Sequence, residues 1–255
     1  MDAYNQAALD ILNSLWSQTV VNVKGKLYLT AGDWAPSQST ISLNPSYLAP
    51  YAYRIFANFD KAHNWSTLID TSYEVIQGCS EANLANLTSA KLPPNWCGLD
   101  PVTGQLTVPL EYPQMSIDYG YDAFRVYWRV ALDYKWFGEK RALDYLKWSD
   151  TLRQKWKQDG KLAKTYDHSG KSTTTDEALS NYVGALANFQ FTEPALADNL
   201  VLEKFLPAYQ TIANAPGGTT TSEFVGWGDP QDYYNQNWVW FGLAFYSGRL
   251  PNLAS

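Results

Sequence analysis

Residues 116–129 have the sequence SIDYGYDAFRVYWR and begin the strongest helical segment of the chain, which we predict over Tyr121–Lys135. The apolar residues of this segment recur with the period of an α-helix. Charged side chains nevertheless stand where a core helix would be apolar, among them Asp122 and Arg125. These two are three positions apart, so they share one face of the helix and can form an ion pair.

Asp122 has two interpretations at the start of this helix. The free N–H groups and the dipole of a helix N-terminus keep a carboxylate ionised, and an ionised carboxylate suits a general base. In the alternative, Asp122 only caps the helix and Arg125 makes a structural ion pair. The sequence leaves both interpretations open.

The remainder of the chain is also predicted to be mainly helical. Residues 20–29 alternate around a Lys-Gly turn and predict a β-hairpin, whereas 78–117 and 215–230 have the composition of loops. No strand–helix–strand alternation is present, so we predict an all-α class built of antiparallel helical hairpins. Helical spacing of apolar residues predicts these helices: Tyr4–Val21, Pro45–Phe59, Trp65–Gln77, Tyr121–Lys135, Glu139–Gln158, Asp176–Phe189, Pro194–Asn214 and Asp232–Tyr246.

The composition restricts the class of function. Aromatic residues make up 15% of the 255 residues, with 11 Trp, 18 Tyr and 10 Phe, and the net charge is −6. The acidic balance argues against a nucleic-acid binder and against a polybasic membrane-surface protein. No apolar run reaches the roughly 18 residues of a membrane span, and the first residues do not have the pattern of a signal peptide.

Several aromatic residues stand in polar loops. Trp34 lies in AGDWAP, Tyr47 in LNPSYLAP, and Tyr233 and Tyr234 lie between an aspartate and an asparagine. Flat rings can cover the apolar face of a pyranose while amides and carboxylates bind its hydroxyl groups. For any single ring, the simpler explanation is that the ring is buried in the core and only its polar atom faces the solvent. Taken together, the set favours a glycan site.

The two cysteines, Cys79 and Cys97, are 18 positions apart and flank a polar stretch. They could form a disulfide that stabilises the fold by about 3 kcal/mol, or remain two buried thiols. With only His63 and His168 as histidines, and no paired cysteine motif, the sequence argues against a zinc site.

Four segments, in this order along the chain, resemble glycoside hydrolase family 8: GDW at 32–34, NPSYLAP at 44–50, YGYDAFRVYWR at 119–129 and DYYNQNWVWFGL at 232–243. The family includes endoglucanases. The resemblance implies an (α/α)6 barrel of inner and outer helices with an acidic cleft across one end. It further implies cleavage of β-1,4-linked glycans with inversion, without a metal or an organic cofactor.

The resemblance also implies roles for individual residues. Asp122 matches the general base, Arg125 matches the arginine beside it, and Tyr47 matches the tyrosine that positions the base and the attacking water. The rings that would contact the sugar are Trp34, Tyr121, Tyr233 and Tyr234.

The chain departs from the family pattern in one respect. The family's general acid is a glutamate in a Ser-Glu-Gly-x-x-x-Gly segment, and a later Asp-Ala-Asp segment lines the cleft; neither occurs in this sequence. We therefore expect residues 1–255 to form a single, incomplete barrel domain with about eight of twelve helices, without the N-terminal third. Inverting hydrolysis needs two carboxyl groups, so we expect this chain alone to be nearly inactive.

Two other hypotheses remain. A non-catalytic or vestigial glycan-binding protein would explain the absent acid motif, and a helical scaffold without a sugar site would bury Trp34 and Tyr233. The family resemblance implies a secreted or periplasmic protein whose partner is a β-1,4-glucan or a related polysaccharide. It also implies a monomer for the intact family, whereas apolar faces exposed by missing helices would let this chain self-associate.

Overall fold

The computed structural model describes residues 2–212, 224–229 and 231–252. These ranges are mainly helical, which confirms the all-α class. No helix within them is both long and apolar enough to cross a membrane. In chain order the α-helices of the described ranges are α1 (Asp2–Thr19), α2 (Pro50–Phe59), α3 (Thr67–Glu81), α4 (Phe124–Phe137), α5 (Lys140–Trp148), α6 (Thr151–Asp159), α7 (Leu179–Thr192), α8 (Pro194–Leu200), α9 (Leu206–Ala208) and α10 (Tyr233–Tyr246).

Short strands form small antiparallel sheets at the ends of the helices. The first sheet is the predicted hairpin, and the second brings together two loops that are far apart in the sequence, with Leu43 opposite Cys97. The strands are β1 (Val20–Val23) with β2 (Lys26–Leu29), β3 (Ile41–Leu43) with β4 (Cys97–Leu99) and β5 (Leu106–Thr107), and β6 (Tyr209–Ile212) with β7 (Phe224–Trp227).

The core is built around a row of four helices. α2 packs against α4, α4 against α7, and α7 against α10, while α3, α5 and α8 pack on the helices that they follow. All residues of α7 from Ser180 to Phe189 are buried, as is typical of a helix that lies inside a core. A side chain at Gly184 of α7 would place its Cβ 2.7 Å from the carbonyl oxygen of Phe124. This close approach fixes the N-terminal end of α4 against α7.

Two predicted helices are interrupted in the structure. Within the predicted helix Pro45–Phe59, residues Pro45–Tyr47 form a separate 3-10 turn and α2 begins at Pro50, because proline fits the first turn of a helix and cannot continue one. The predicted helix Glu139–Gln158 is two helices, since α5 ends before Ser149 and α6 begins at Thr151.

Other boundaries differ in the loops and in the second half. The predicted loop 78–117 contains the end of α3 and strands β4 and β5, and α7 begins at Leu179 rather than at Asp176. The predicted helix over 194–214 passes through a π turn at Val201–Phe205 and ends at Ala208, and β6 begins at Tyr209. Strand β7 lies in the predicted loop 215–230; residues 213–223 and 230 are outside the described residues.

Cys79 and Cys97 are joined by a disulfide, with their Cα atoms 6.3 Å apart. Both cysteines are fully buried. The bond connects α3 to β4, the strand that pairs with β3. It therefore ties the loop before β4 to the helical core.

Candidate active site

Asp122 lies in the turn before α4, and its side chain is 30% exposed. One carboxylate oxygen is paired with Arg125, and the other is 3.3 Å from Nδ2 of Asn44. The first N–H groups of α4 are satisfied by the backbone, since Phe124 donates to the carbonyl of Gly120 and Arg125 to the carbonyl of Asp122. The carboxylate of Asp122 therefore does not cap the helix, whereas the ion pair with Arg125 is present.

Asn44 holds a fixed orientation beside this carboxylate. Its Oδ1 accepts hydrogen bonds from the N–H of Ser46 at 3.0 Å and from the hydroxyl of Ser46 at 2.6 Å. Because Oδ1 is occupied in this way, the amide donor Nδ2 faces Asp122. Arg129 of α4 donates to the carbonyl of Ser46, so the helix that follows the candidate base also holds the turn that carries Tyr47.

A second backbone segment runs along the residues that precede Asp122. The N–H of Asn95 donates to the carbonyl of Asp118 at 2.8 Å, and the N–H of Trp96 donates to the carbonyl of Ser116 at 3.1 Å. These two residues come directly before β4 and the disulfide. The pairing brings the indole of Trp96 to the same side of the molecule as the candidate base.

Two exposed rings, Tyr47 and Trp34, and the half-buried ring of Trp96 between them continue from the base along this surface. The guanidinium carbon of Arg125 is 5.6 Å from the centre of the Tyr47 ring, Tyr47 is 6.0 Å from the ring of Trp96, and Trp96 is 6.5 Å from the ring of Trp34. We call Trp34, Trp96 and Tyr47 the aromatic row. Trp34 is 43% exposed and Tyr233 is 76% exposed, so the burial expected by the scaffold hypothesis is wrong.

Tyr121, which directly precedes Asp122, forms a second pair of rings with Tyr234. Their ring centres are 6.2 Å apart, and the hydroxyl of Tyr234 donates to the carbonyl of Tyr121 at 2.6 Å. Burial raises the pKa of Tyr234 to about 12, with Arg125 opposing the shift and Asp122 adding to it. The phenol is therefore protonated at neutral pH, close to the charges of the site. Tyr233, at the first position of α10, is not among the residues that contact these rings in the described structure, and its sugar-binding role stays a prediction.

Sequence reasoning missed three of the residues that surround the base. Asn44 appeared only as the first residue of the NPSYLAP segment, and neither Asn95 nor Trp96 was predicted to belong to the site. Asn95 Oδ1 accepts hydrogen bonds from the N–H groups of Asp122 at 3.1 Å and Ala123 at 2.9 Å. The stretch PPNWCG at 93–98 has the same mixture of an aromatic ring with Pro, Asn and Gly that singled out Trp34. That composition was the available signal.

The site holds one carboxylate in these contacts. In the described part of the chain, the side chain of Asp122 contacts an amide and a guanidinium and no second carboxyl group. Among the same residues, no cluster of three or more His, Cys, Asp or Glu side chains could hold a metal ion. The arrangement suits proton abstraction by an ionised carboxylate next to a ring-lined surface.

A sequence model of the family described as glycosyl hydrolases family 8 matches residues 2–205. The chain therefore belongs to this family. Endoglucanase A of Acetivibrio thermocellus is 29% identical over 254 residues, which cover 98% of this chain and 45% of that protein. Endoglucanase C of Ruminiclostridium cellulolyticum is 34% identical over 142 residues, 54% of this chain and 26% of that protein.

Solved structures have the same fold. The β-1,3-1,4-glucanase from Paenibacillus sp. X4 superimposes with a TM-score of 0.74 at 18% identity, covering 98% of this chain and 61% of that one. A family 8 protein from Teredinibacter turnerae, solved with xylobiose, gives a TM-score of 0.67 at 17% identity, covering 97% and 60%. These neighbours are (α/α)6 barrels, and the chain has that architecture over the part that it spans. It spans less than half the length of Endoglucanase A.

Proposed function

We propose that this chain binds a β-1,4-glucan along the aromatic row and supplies the general base, Asp122, for hydrolysis of the glycosidic bond with inversion. The observation that supports this most is the partly exposed carboxylate of Asp122, held between Asn44 and Arg125 at the end of the row. The two relatives named endoglucanase point to the same class of substrate. On this proposal residues 1–255 act as one barrel-type domain.

The proposed reaction starts with a water molecule beside Asp122. The oxygen of this water attacks the anomeric carbon while the carboxylate takes one of its protons. The bond between the anomeric carbon and the leaving oxygen breaks on the opposite face of the sugar. Arg125 pairs with one oxygen of the carboxylate. Asn44 holds the carboxylate by one oxygen and Tyr47 lies against Arg125, so the group has a defined orientation.

The leaving oxygen has to receive a proton from a second group. In an inverting enzyme this group is a protonated carboxyl about 6.5–9.5 Å from the base. No glutamate of this chain lies in the family's acid motif. We therefore propose that the chain in isolation hydrolyses substrates whose leaving group departs without protonation, and acts poorly on natural glycans.

A dinitrophenyl β-cellobioside tests whether the chain can hydrolyse a substrate that needs no general acid, because dinitrophenolate leaves unprotonated. The chain should release dinitrophenolate, whereas carboxymethylcellulose should be hydrolysed far more slowly, since general acid catalysis contributes about 10²–10⁴-fold. Asp122→Asn should reduce dinitrophenolate release by about 10²-fold or more. Asp144→Asn, which changes an exposed carboxylate of α5, is the matched control. An undiminished rate with Asp122→Asn would refute the base assignment.

A non-catalytic glycan-binding function is the second candidate, supported by the absence of the acid motif. Calorimetry with cellohexaose distinguishes the two. Binding of cellohexaose without hydrolysis of the dinitrophenyl substrate would favour the binding function. Release of an α-configured product from the β-glycoside, seen by proton NMR before mutarotation, would favour the inverting hydrolase.

A further inference from the structure

Asn95 has an unusual relation to the start of α4. Its single side-chain oxygen, Oδ1, accepts hydrogen bonds from two consecutive backbone N–H groups, those of Asp122 at 3.1 Å and Ala123 at 2.9 Å. N–H groups at the beginning of a helix lack partners within the helix and take the nearest acceptor. Here a residue from another segment, 27 positions earlier than Asp122, supplies that acceptor.

This contact determines what the carboxylate of Asp122 is free to do. Aspartate at the start of a helix ordinarily turns back and accepts from the exposed N–H groups itself. In this chain the N–H groups that such a cap would reach, those of Phe124 and Arg125, donate to the carbonyls of Gly120 and Asp122. Asn95 takes the two N–H groups before them, those of Asp122 and Ala123, and so fixes the backbone that carries the carboxylate. The carboxylate instead extends to Arg125 and Asn44.

We propose that Asn95 is the positioning residue of the general base: by binding the backbone N–H groups of Asp122 and Ala123, it fixes the turn before α4 and holds the Asp122 carboxylate in the orientation that accepts a proton from water. This inference rests on the proposed function of Asp122 as the base. It assigns a role to a residue that the sequence motifs do not mark.

The structure holds Asn95 itself on two sides. Its backbone N–H is bonded to the carbonyl of Asp118 at 2.8 Å, and the disulfide of Cys97 anchors the chain two residues later. The side-chain amide lies across Gly120, where an added Cβ would stand 3.1 Å from Asn95 Nδ2. A larger residue at Gly120 would therefore push against the amide of Asn95.

Two substitutions separate positioning from simple stability. Asn95→Ala removes the acceptor of both N–H groups, so the backbone at Asp122 and Ala123 should shift and the carboxylate should leave Asn44. Asn95→Asp keeps an acceptor oxygen and adds a negative charge near Asp122. Like charges disfavour the ionised form of a carboxylate, so the acidic limb of the pH–rate profile should move to higher pH.

The experiment measures dinitrophenyl β-cellobioside hydrolysis by the full chain between pH 3 and pH 8, together with crystal structures of the variants. For Asn95→Ala we expect kcat to fall by about 10–100-fold, within the contribution of general base catalysis, with KM changed less than about threefold because the aromatic row is intact. Asn95→Asp should recover most of kcat at the pH optimum and show the shifted acidic limb. Asn22→Ala is the matched control, because Asn22 also accepts from a backbone N–H, that of Gly25 at 2.9 Å, in the β1–β2 turn.

The outcomes separate the two proposals. If Asp122→Asn keeps the full rate, the proposed function fails. If Asp122→Asn loses the rate while Asn95→Ala keeps kcat and its crystal structure leaves Asp122 on Asn44, the positioning role alone is overturned. Should Asn95→Ala not fold, an unshifted acidic limb in Asn95→Asp overturns it. If no variant hydrolyses the substrate, the crystal structures decide, because an unmoved carboxylate in Asn95→Ala contradicts the proposal.

Discussion

Asn44 and Asp122 are 78 positions apart in the chain, and the amide Nδ2 of Asn44 lies 3.3 Å from Oδ2 of Asp122. The contact joins the turn after β3 to the turn before α4. Ser46 occupies the other end of the Asn44 amide, so the donor cannot turn away without losing hydrogen bonds. The candidate base is thus oriented by a side chain that is itself fixed.

Trp96 should contribute to glycan binding, because its ring lies between Trp34 and Tyr47 in the aromatic row. We expect Trp96→Ala to weaken cellohexaose binding by about 1–2 kcal/mol, roughly 5- to 30-fold, from the loss of one ring contact. Isothermal titration calorimetry measures the change.

The matched control for this prediction is Trp240→Ala. Trp240 is also exposed, but it lines a separate groove of α10 with Trp227 and Tyr246. Its loss should leave the affinity unchanged. Equal losses from the two variants would contradict the placement of the glycan on the aromatic row.

Glu139 should stabilise the fold at neutral pH and lose this effect in acid. Its carboxylate is 14% exposed, and hydrogen bonds from Arg141, opposed by partial burial and assisted by Arg54, lower its pKa to about 2. A carboxylate whose pKa is lower in the folded state than in the unfolded state stabilises the fold at any pH above its unfolded-state pKa. For Glu139 this stabilisation is lost as the pH falls from about 4.5 towards 2. We expect Glu139→Gln to lower the free energy of unfolding by about 2 kcal/mol at pH 7.

Urea unfolding at pH 7 and at pH 2.5 tests this pH dependence. The difference in the free energy of unfolding between wild type and Glu139→Gln should be smaller at the lower pH. Asp70→Asn is the control. Asp70 pairs with the same Arg141 at 2.7 Å but is 72% exposed, and exposed ion pairs contribute about 0–1 kcal/mol. A difference that grows in acid would show that the carboxylate of Glu139 is not the stabilising form.

The disulfide between Cys79 and Cys97 should stabilise the chain and preserve the site. Closing a loop of this length is worth about 3 kcal/mol, and the bond anchors the segment that carries Asn95 and Trp96. We expect the Cys79→Ala/Cys97→Ala variant to unfold at lower urea concentration and to bind cellohexaose more weakly.

Reduction of the wild-type chain with dithiothreitol provides an independent comparison, because it breaks the bond without changing the buried side chains. The reduced wild type and the double variant should show similar losses. Unchanged stability after complete reduction, verified by thiol titration, would rule out a stabilising role for the bond.

The central helix could be predicted because its signal is local. Apolar residues recur with helical spacing over Tyr121–Lys135, and Gly138 ends the helix in the left-handed conformation that glycine favours. The pairing of Asp122 with Arg125 follows from the same spacing. By contrast, the end of α5 at Ser149 and the π turn at Val201–Phe205 depend on how neighbouring helices pack. The spacing of apolar residues along the sequence does not predict them.

The sequence by itself determined the helical class, the motif that carries Asp122, and the family to which the chain belongs, because these depend on residue type and short-range spacing. Only the tertiary structure decided which polar groups surround the carboxylate. Asn44 and Asn95 reach it from loops 78 and 27 positions away. Such contacts are set by strand pairing, a disulfide and the packing of α4 against α7, none of which has a local pattern in the sequence.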